Sequence, residues 1–291
     1  MRLSLTLVAA DPAALPEAVA RLEAGVRIDD RAILGPAALD LFAEASDLAA
    51  TRLLADEALS GLPVDLCVQP AEGRRKRLLI ADMDSTIIGC ECLDELADFA
   101  GVKAEVSAIT ERAMRGEIGF EGALRERVAM LKGLPLGALQ ACFDERVRLN
   151  AGARTLVATM AAHGARCVLV SGGFEFFTSR VARLAGFQAD RANRLLEAGG
   201  ALTGQVGEPI LGREAKLAAL EEEAAGLGAD LSAALAVGDG ANDLAMVQAA
   251  GLGVAYRAKP LVAAQAHARV DHADLTALLY FQGYAAEAFA A

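Results

Sequence analysis

Asp82 and Asp84 stand two positions apart in the stretch ADMDSTIIGCE, residues 81–91, directly behind the apolar run Leu78, Leu79, Ile80. An apolar strand that ends in two carboxylates is unfavourable by itself. The charges repel, and each loses hydration on burial unless a cation or hydrogen-bond donors compensate. Two further apolar runs end in similar punctuation: 167–170 leads into Ser171, Gly172 and Gly173, and 235–237 leads into Gly238, Asp239, Gly240, Ala241, Asn242 and Asp243. In a parallel sheet these ends share one edge, where Asp82, Asp84 and Asp239 could meet. Three carboxylates there call for a cation, and Mg²⁺ suits them, being a hard ion often held by one or two carboxylates plus a substrate phosphate. Ser171 offers a hydroxyl, while Gly172 and Gly173 let backbone N–H groups approach an anion at the start of the next helix. Lys216 adds a fixed positive charge. An Asp carboxylate in such a setting can attack phosphorus and form an aspartyl-phosphate.

The elements that must position these groups are legible as periodicity. Residues 78–81, 167–170, 235–237 and 252–255 read as parallel strands buried on both faces. Helical stretches lie between them at 153–163, 174–184, 214–225 and 242–250, which predicts a doubly wound α/β domain over residues 73–291. Residues of about 90–150 contain helical runs (93–99, 103–114, 120–131, 136–149) and no strand-like run, so they read as a helical cap inserted after the first strand, over the carboxyl ends of the sheet. Residues 1–72 read βαββαβ, the split-βαβ pattern of a small α+β ferredoxin-like domain without a catalytic constellation. The run Arg74, Arg75, Lys76, Arg77 that follows reads as a solvated linker.

Composition bounds the rest. A length of 291 residues allows two domains, and a net charge of −11 argues against a nucleic-acid partner. No apolar stretch is long enough to span a membrane, and the N-terminus lacks the apolar segment of a signal peptide, which predicts a cytoplasmic protein. Cysteines at 67, 90, 92, 142 and 167 are irregularly spaced, as free thiols are, and with only three histidines a zinc site finds little support. Competing motifs fail on single positions. An EF-hand loop would need Gly at Ile87 and Glu at Leu93. A P-loop would need Lys and Ser or Thr where Arg213 and Glu214 stand, and a dinucleotide fingerprint would need Gly at Tyr256. Each Asp and Gly alone is ordinary turn and cap chemistry; their order on successive strand ends is not.

DMDST at 82–86, SGG at 171–173, Lys216 and GDGAND at 238–243 resemble, in order, the four motifs of the haloacid dehalogenase superfamily of phosphatases. DMDSTIIGCECLDELA at 82–97 and ITERAMRGEIGFEGALRERVAMLKGL at 109–134 are similar, more narrowly, to the phosphoserine phosphatase family within it. The resemblance covers nearly all of residues 78–285. The first 70 residues are similar only in outline to an ACT-like domain. It implies that Asp82 is the nucleophile and Asp84 the general acid and then base. Mg²⁺ would be held by Asp82, Asp239 and the main-chain carbonyl of Asp84. Ser171, Gly172 and Lys216 would hold the phosphate with help from Asn242, and Asp243 would orient Lys216 or metal-bound waters. It also assigns Glu91 to a substrate ammonium, Arg127 to its carboxylate, and Met114 and Phe120 to apolar closure. Without the resemblance, Glu91 reads as a helix-start acidic run, Arg127 as a solvated face, and Met114 and Phe120 as core. The implied activity is hydrolysis of O-phospho-L-serine, the last step of serine biosynthesis, on a small-molecule substrate and with a homodimer left open. A phosphatase for another small phosphomonoester, a phosphotransferase and an amino-acid sensor stay open as alternatives.

Overall fold

The computed structural model describes residues 1–115 and 117–290, with Met114 described by its backbone alone. At the N-terminus, β1 (Arg2–Ala9), α1 (Leu15–Glu23), β2 (Asp30–Gly35), β3 (Ala38–Glu44), α2 (Leu48–Ala58) and β4 (Val64–Pro70) build an antiparallel sheet in the order β2-β3-β1-β4. Alternation along β1 gives the sheet two different faces. Leu3, Leu5 and Leu7 share a core with Leu15, Ala18, Leu22 and Ala55 of the two helices. Ser4 and Thr6, equally buried, belong to the opposite face, where the Thr6 hydroxyl donates to Asp40 at 2.6 Å.

The basic run that follows is solvated only in part: Arg75 and Arg77 are exposed, whereas Arg74 and Lys76 are drawn into the structure. Arg74 pairs with Asp40 at 2.8 Å, and Arg75 lies 4.5 Å over the Tyr284 ring. Lys76 is buried and donates to the carbonyls of Gly73 and Ser232. Charge density suggested solvation, but the long apolar stems of Arg74 and Lys76 cover the junction between the two sheets while their heads find a carboxylate and carbonyls.

The larger part of the chain runs through β5 (Leu78–Ala81), α3 (Cys92–Phe99), α4 (Lys103–Met114), α5 (Phe120–Ala129), α6 (Leu136–Arg146), α7 (Ala153–Ala162), β6 (Arg166–Phe174) and α8 (Glu175–Ala185). It continues through β7 (Ala189–Asn193), β8 (Leu195–Ala198), β9 (Ala201–Val206), α9 (Arg213–Gly226), β10 (Ala234–Gly238), α10 (Leu244–Ala249), β11 (Leu252–Tyr256), α11 (Pro260–Ala263), β12 (Ala268–Val270) and α12 (Ala277–Phe281). Six strands form a parallel sheet in the order β12-β11-β10-β5-β6-β7, so the order reverses at β5. β5 is buried on both faces: Leu78 and Ile80 pack with α9 and α10, and Leu79 with α7 and α8. That is why four consecutive apolar residues are needed there. Helices α3 to α6 form the cap. Its two connections to the sheet pair antiparallel at Ile88 and Leu149, and Asn150 Nδ2 donates to the Thr86 carbonyl at 2.8 Å.

Four strands escape a reading from periodicity. β7 is a half-exposed edge strand of sequence ADRAN, and β8 and β9 form a separate hairpin turned by Gly199 and Gly200, both at positive φ. β12 has only three residues. None carries an apolar run, because each is covered on one face at most or is too short to show a pattern.

Candidate active site

In-register pairing of three parallel strands builds the site. Ala81 lies opposite Leu169 of β6 and Val237 of β10, so the next residues, Asp82, Val170 with Ser171, and Gly238 with Asp239, emerge side by side. The N–H of Asp82 still donates to the Val237 carbonyl at 3.0 Å, tying the first carboxylate to the sheet before the chain turns away. The turn then passes through Ser85 at φ 57°, an uncommon backbone for a residue with a Cβ. Its hydroxyl donates to Glu91 at 2.6 Å.

Lys216, from the first turns of α9, is buried with its Nζ 2.6 Å from Asp82 and 2.5 Å from Asp243. Burial alone would lower its pKa, but Asp82 and then Asp243 override this and hold it above the usual range, so it is a permanent cation. Burial, then the Asp243 charge, push Asp82 upward while Lys216 pulls it back; one lysine is short compensation for two buried carboxylates. Asp243 spends its second oxygen on the N–H of Gly240 at 2.9 Å. The glycines of GDGAND make room for this arrangement. A Cβ on Gly238 would lie 2.4 Å from Asp243 Cγ, and one on Gly240 2.3 Å from Asn242 Oδ1.

Asp84 is held from two sides, accepting from the Cys92 N–H at 3.0 Å and the Ser171 hydroxyl at 3.2 Å. Burial, then the negative charge of Glu91, push it up to about 6, a value suited to proton transfer near neutral pH. Asp239 is likewise pushed up to about 6 by burial and then by Asp243 and Glu91. These groups line a cavity of 520 Å³ whose opposite wall is the cap, with Glu91, Asp94, Thr110, Phe120, Leu124 and Arg127. Phe120, the first residue of α5, reaches across so that a Cβ on Gly172 would sit 3.4 Å from its ring, and one on Gly212 3.6 Å. Arg127 is held through Nε on the Ala123 carbonyl at 3.3 Å, and among the described residues no carboxylate comes within 4.0 Å of it.

The site therefore brings together Asp82, Asp84, Glu91, Phe120, Arg127, Ser171, Gly172, Asp239 and Asn242, with Lys216 and Asp243 immediately behind. The Met114 side chain lies outside the described residues. The sequence profile of the haloacid dehalogenase-like hydrolases matches residues 79–248. The chain belongs to this family. A phosphoserine phosphatase of Polaromonas sp. is 45% identical over 224 residues, 75% of this chain and 95% of its own length. A haloacid dehalogenase family hydrolase from Salmonella enterica serovar Typhi superposes with a TM-score of 0.87 at 28% identity, covering 96% of this chain and 98% of its own. A probable phosphoserine phosphatase from Vibrio cholerae does so with a TM-score of 0.79 at 33% identity, covering 98% and 88%.

A metal fits this member of the haloacid dehalogenase-like hydrolases on donor chemistry. Carboxylate oxygens of Asp82, Asp239 and Asp243 lie within 4.8 Å of one another, an all-oxygen set with more negative charge than Lys216 neutralises. The set includes the Asp243 side chain; the Asp84 ligand expected above is its main-chain carbonyl, and its side-chain oxygens accept from Cys92 and Ser171. Several residues escaped sequence reasoning. Lys259 lines the cavity and donates its N–H to the Asp239 carbonyl at 3.1 Å. Asp94 and Thr110 face the cavity from the cap. Helical spacing within 90–114 was the available signal, but it does not tell which helix face looks into a cavity.

Proposed function

We propose that the chain is a Mg²⁺-dependent phosphoserine phosphatase, hydrolysing O-phospho-L-serine to L-serine and phosphate, the last step of serine biosynthesis and therefore a cytoplasmic reaction. One observation supports the reading: a single cavity has Asp82, Ser171 and Gly172 at its floor and, in its roof, Glu91 and Arg127, neither of them in a salt bridge among the described residues, an arrangement that suits a zwitterion carrying a phosphate. Glu91 matches the substrate ammonium, and Arg127 matches its carboxylate with a planar two-donor fork. Phe120 closes the mouth against Gly172 and Gly212.

In this reading Asp82 attacks phosphorus, forming the aspartyl-phosphate as the bond to the seryl oxygen breaks. Asp84 gives its proton to that oxygen, then takes one from the water that attacks the phosphoryl group and releases Asp82. Lys216, the Ser171 hydroxyl and the backbone at Gly172 hold the phosphoryl oxygens, with Asn242 beside them. Asp243 keeps Lys216 aimed at Asp82. Asp82, Asp239 and the Asp84 carbonyl would hold Mg²⁺, which supplies charge neutralisation on the phosphoryl oxygens. The test is phosphate release from L-phosphoserine with and without Mg²⁺, beside phosphothreonine and an aryl phosphate. Strong Mg²⁺-dependent preference for phosphoserine is expected; equal, slow release from all three would overturn the substrate assignment.

A further inference from the structure

Asn193 ends the edge strand β7, is buried with 1% of its surface exposed, and has no part in the reaction described above. Its side chain nevertheless joins two segments of the site. Nδ2 donates to the Gly172 carbonyl at 2.9 Å and to the Leu211 carbonyl at 3.2 Å, and Oδ1 accepts from the Leu211 N–H at 2.7 Å. Every hydrogen-bonding position of the amide that these partners reach is used, which leaves no freedom to flip it.

The consequence follows from peptide geometry. The Gly172 carbonyl and the Gly173 N–H belong to one planar trans peptide and point in opposite directions. Anchoring the carbonyl on Asn193 aims the N–H the other way, and there it donates to Ser171 Oγ at 2.8 Å. Ser171 Oγ in turn donates to Asp84 Oδ2 at 3.2 Å. A continuous chain thus runs from Asn193 through the Gly172–Gly173 peptide and Ser171 to Asp84, and each link polarises the next. Through Leu211 the same side chain fixes the segment that enters α9 at Gly212, a helix start with no side-chain cap of its own, one turn before Lys216. Two residues earlier on β7, Arg191 grips the far part of α9 through Glu222 at 2.5 Å and Glu223 at 2.8 Å.

We propose that Asn193 is a positioning residue for the anion cradle, setting the Ser171–Gly173 backbone and the start of α9 in the relative position that phosphate binding requires. The inference rests on the phosphatase reading above, but not on which alcohol carries the phosphate. The test measures the dissociation constant of inorganic phosphate by calorimetry, and kcat with phosphoserine and with an aryl phosphate, for the wild type, Asn193→Ala, Asn193→Asp and Arg191→Met. Asn193→Asp keeps an acceptor for the Leu211 N–H but has no donor for the two carbonyls. Both Asn193 variants should bind phosphate about tenfold or more weakly and lose kcat on both substrates, in the range typical of outer residues that orient inner ones. Arg191→Met should lower the melting temperature while leaving phosphate affinity within twofold. Partial unfolding raises an apparent dissociation constant only by the inverse of the folded fraction, so a tenfold weakening would need about nine-tenths of the protein unfolded, and the melting curve of each variant checks that it is folded at the temperature of the titration. Phosphate affinity within twofold of wild type in Asn193→Ala, or restored to wild type in Asn193→Asp, would overturn the proposal. Failure of wild-type protein to turn over phosphoserine, with phosphate affinity still lost in Asn193→Ala, would overturn the substrate reading alone.

Discussion

Lys216 sets the electrostatics of the site, because one buried cation faces both Asp82 and Asp243 and leaves the cluster short of positive charge. A nucleophile in that setting is irreplaceable by a neutral isostere. Asp82→Asn should lower turnover on the order of a thousandfold or more while the protein melts at a similar temperature, and near-normal turnover would exclude Asp82 as nucleophile. Arg127→Ala removes a charged hydrogen-bond donor worth about 2 kcal/mol, so kcat/KM for phosphoserine should fall roughly thirtyfold, with little change for an aryl phosphate. Asp84, the proposed acid, has a pKa raised to about 6 by burial and then by Glu91. Its protonated fraction falls as pH rises through that value, so the proton-donating step slows on the alkaline side. Glu91→Gln removes the raising charge and lowers the Asp84 pKa. The alkaline limb of kcat, measured at saturating phosphoserine, should therefore move to lower pH; a limb that stays in place would mean that Asp84 is not the titrating acid.

At the scale of elements, the loop between β10 and α10 works because two glycines lack side chains. Gly238→Ala places a methyl 2.4 Å from Asp243 Cγ, which must move and release Lys216 from its position. A displacement of that kind near a reacting group costs on the order of a hundredfold in rate, measurable as kcat on an aryl phosphate. The strand ends carrying the chemistry were readable as apolar runs closed by polar or glycine residues, since central parallel strands are buried on both faces and cannot tolerate polar positions. β7 was not readable. It lies at the sheet edge, and its sequence ADRAN reflects a half-solvated environment even though Asn193 holds two active-site segments together.

At the scale of the whole molecule, the N-terminal sheet is joined to the larger part by Val8, Leu34, Ala38 and Cys67, which share its core, and by polar groups. Thr6, Asp40 and Arg74 form one buried set, Gln69 Nε2 donates to the Phe281 carbonyl at 2.6 Å, and Asp65 accepts from the N–H groups of Asp271, His272 and Ala273. Arg74→Ala strands a buried carboxylate with only the Thr6 hydroxyl. The variant should lose about 3 kcal/mol of stability by thermal or denaturant unfolding, with kcat of the folded protein unchanged. An unchanged melting temperature would mean that Asp40 finds another partner or that water reaches it.

Residue type and order alone determined the sheet class, the cap insertion and the set of carboxylates, lysine and glycines, because burial on both faces and phosphate chemistry each leave few permissible residues. Tertiary structure decided how those residues are coupled. It decided that Arg74 and Lys76 bind a junction instead of facing solvent, that Asp243 serves Lys216 with one oxygen and Gly240 with the other, and that Asn193 spans Gly172 and Leu211. Such pairings join positions far apart in the chain, and no local periodicity encodes which distant carbonyl or charge a side chain will meet.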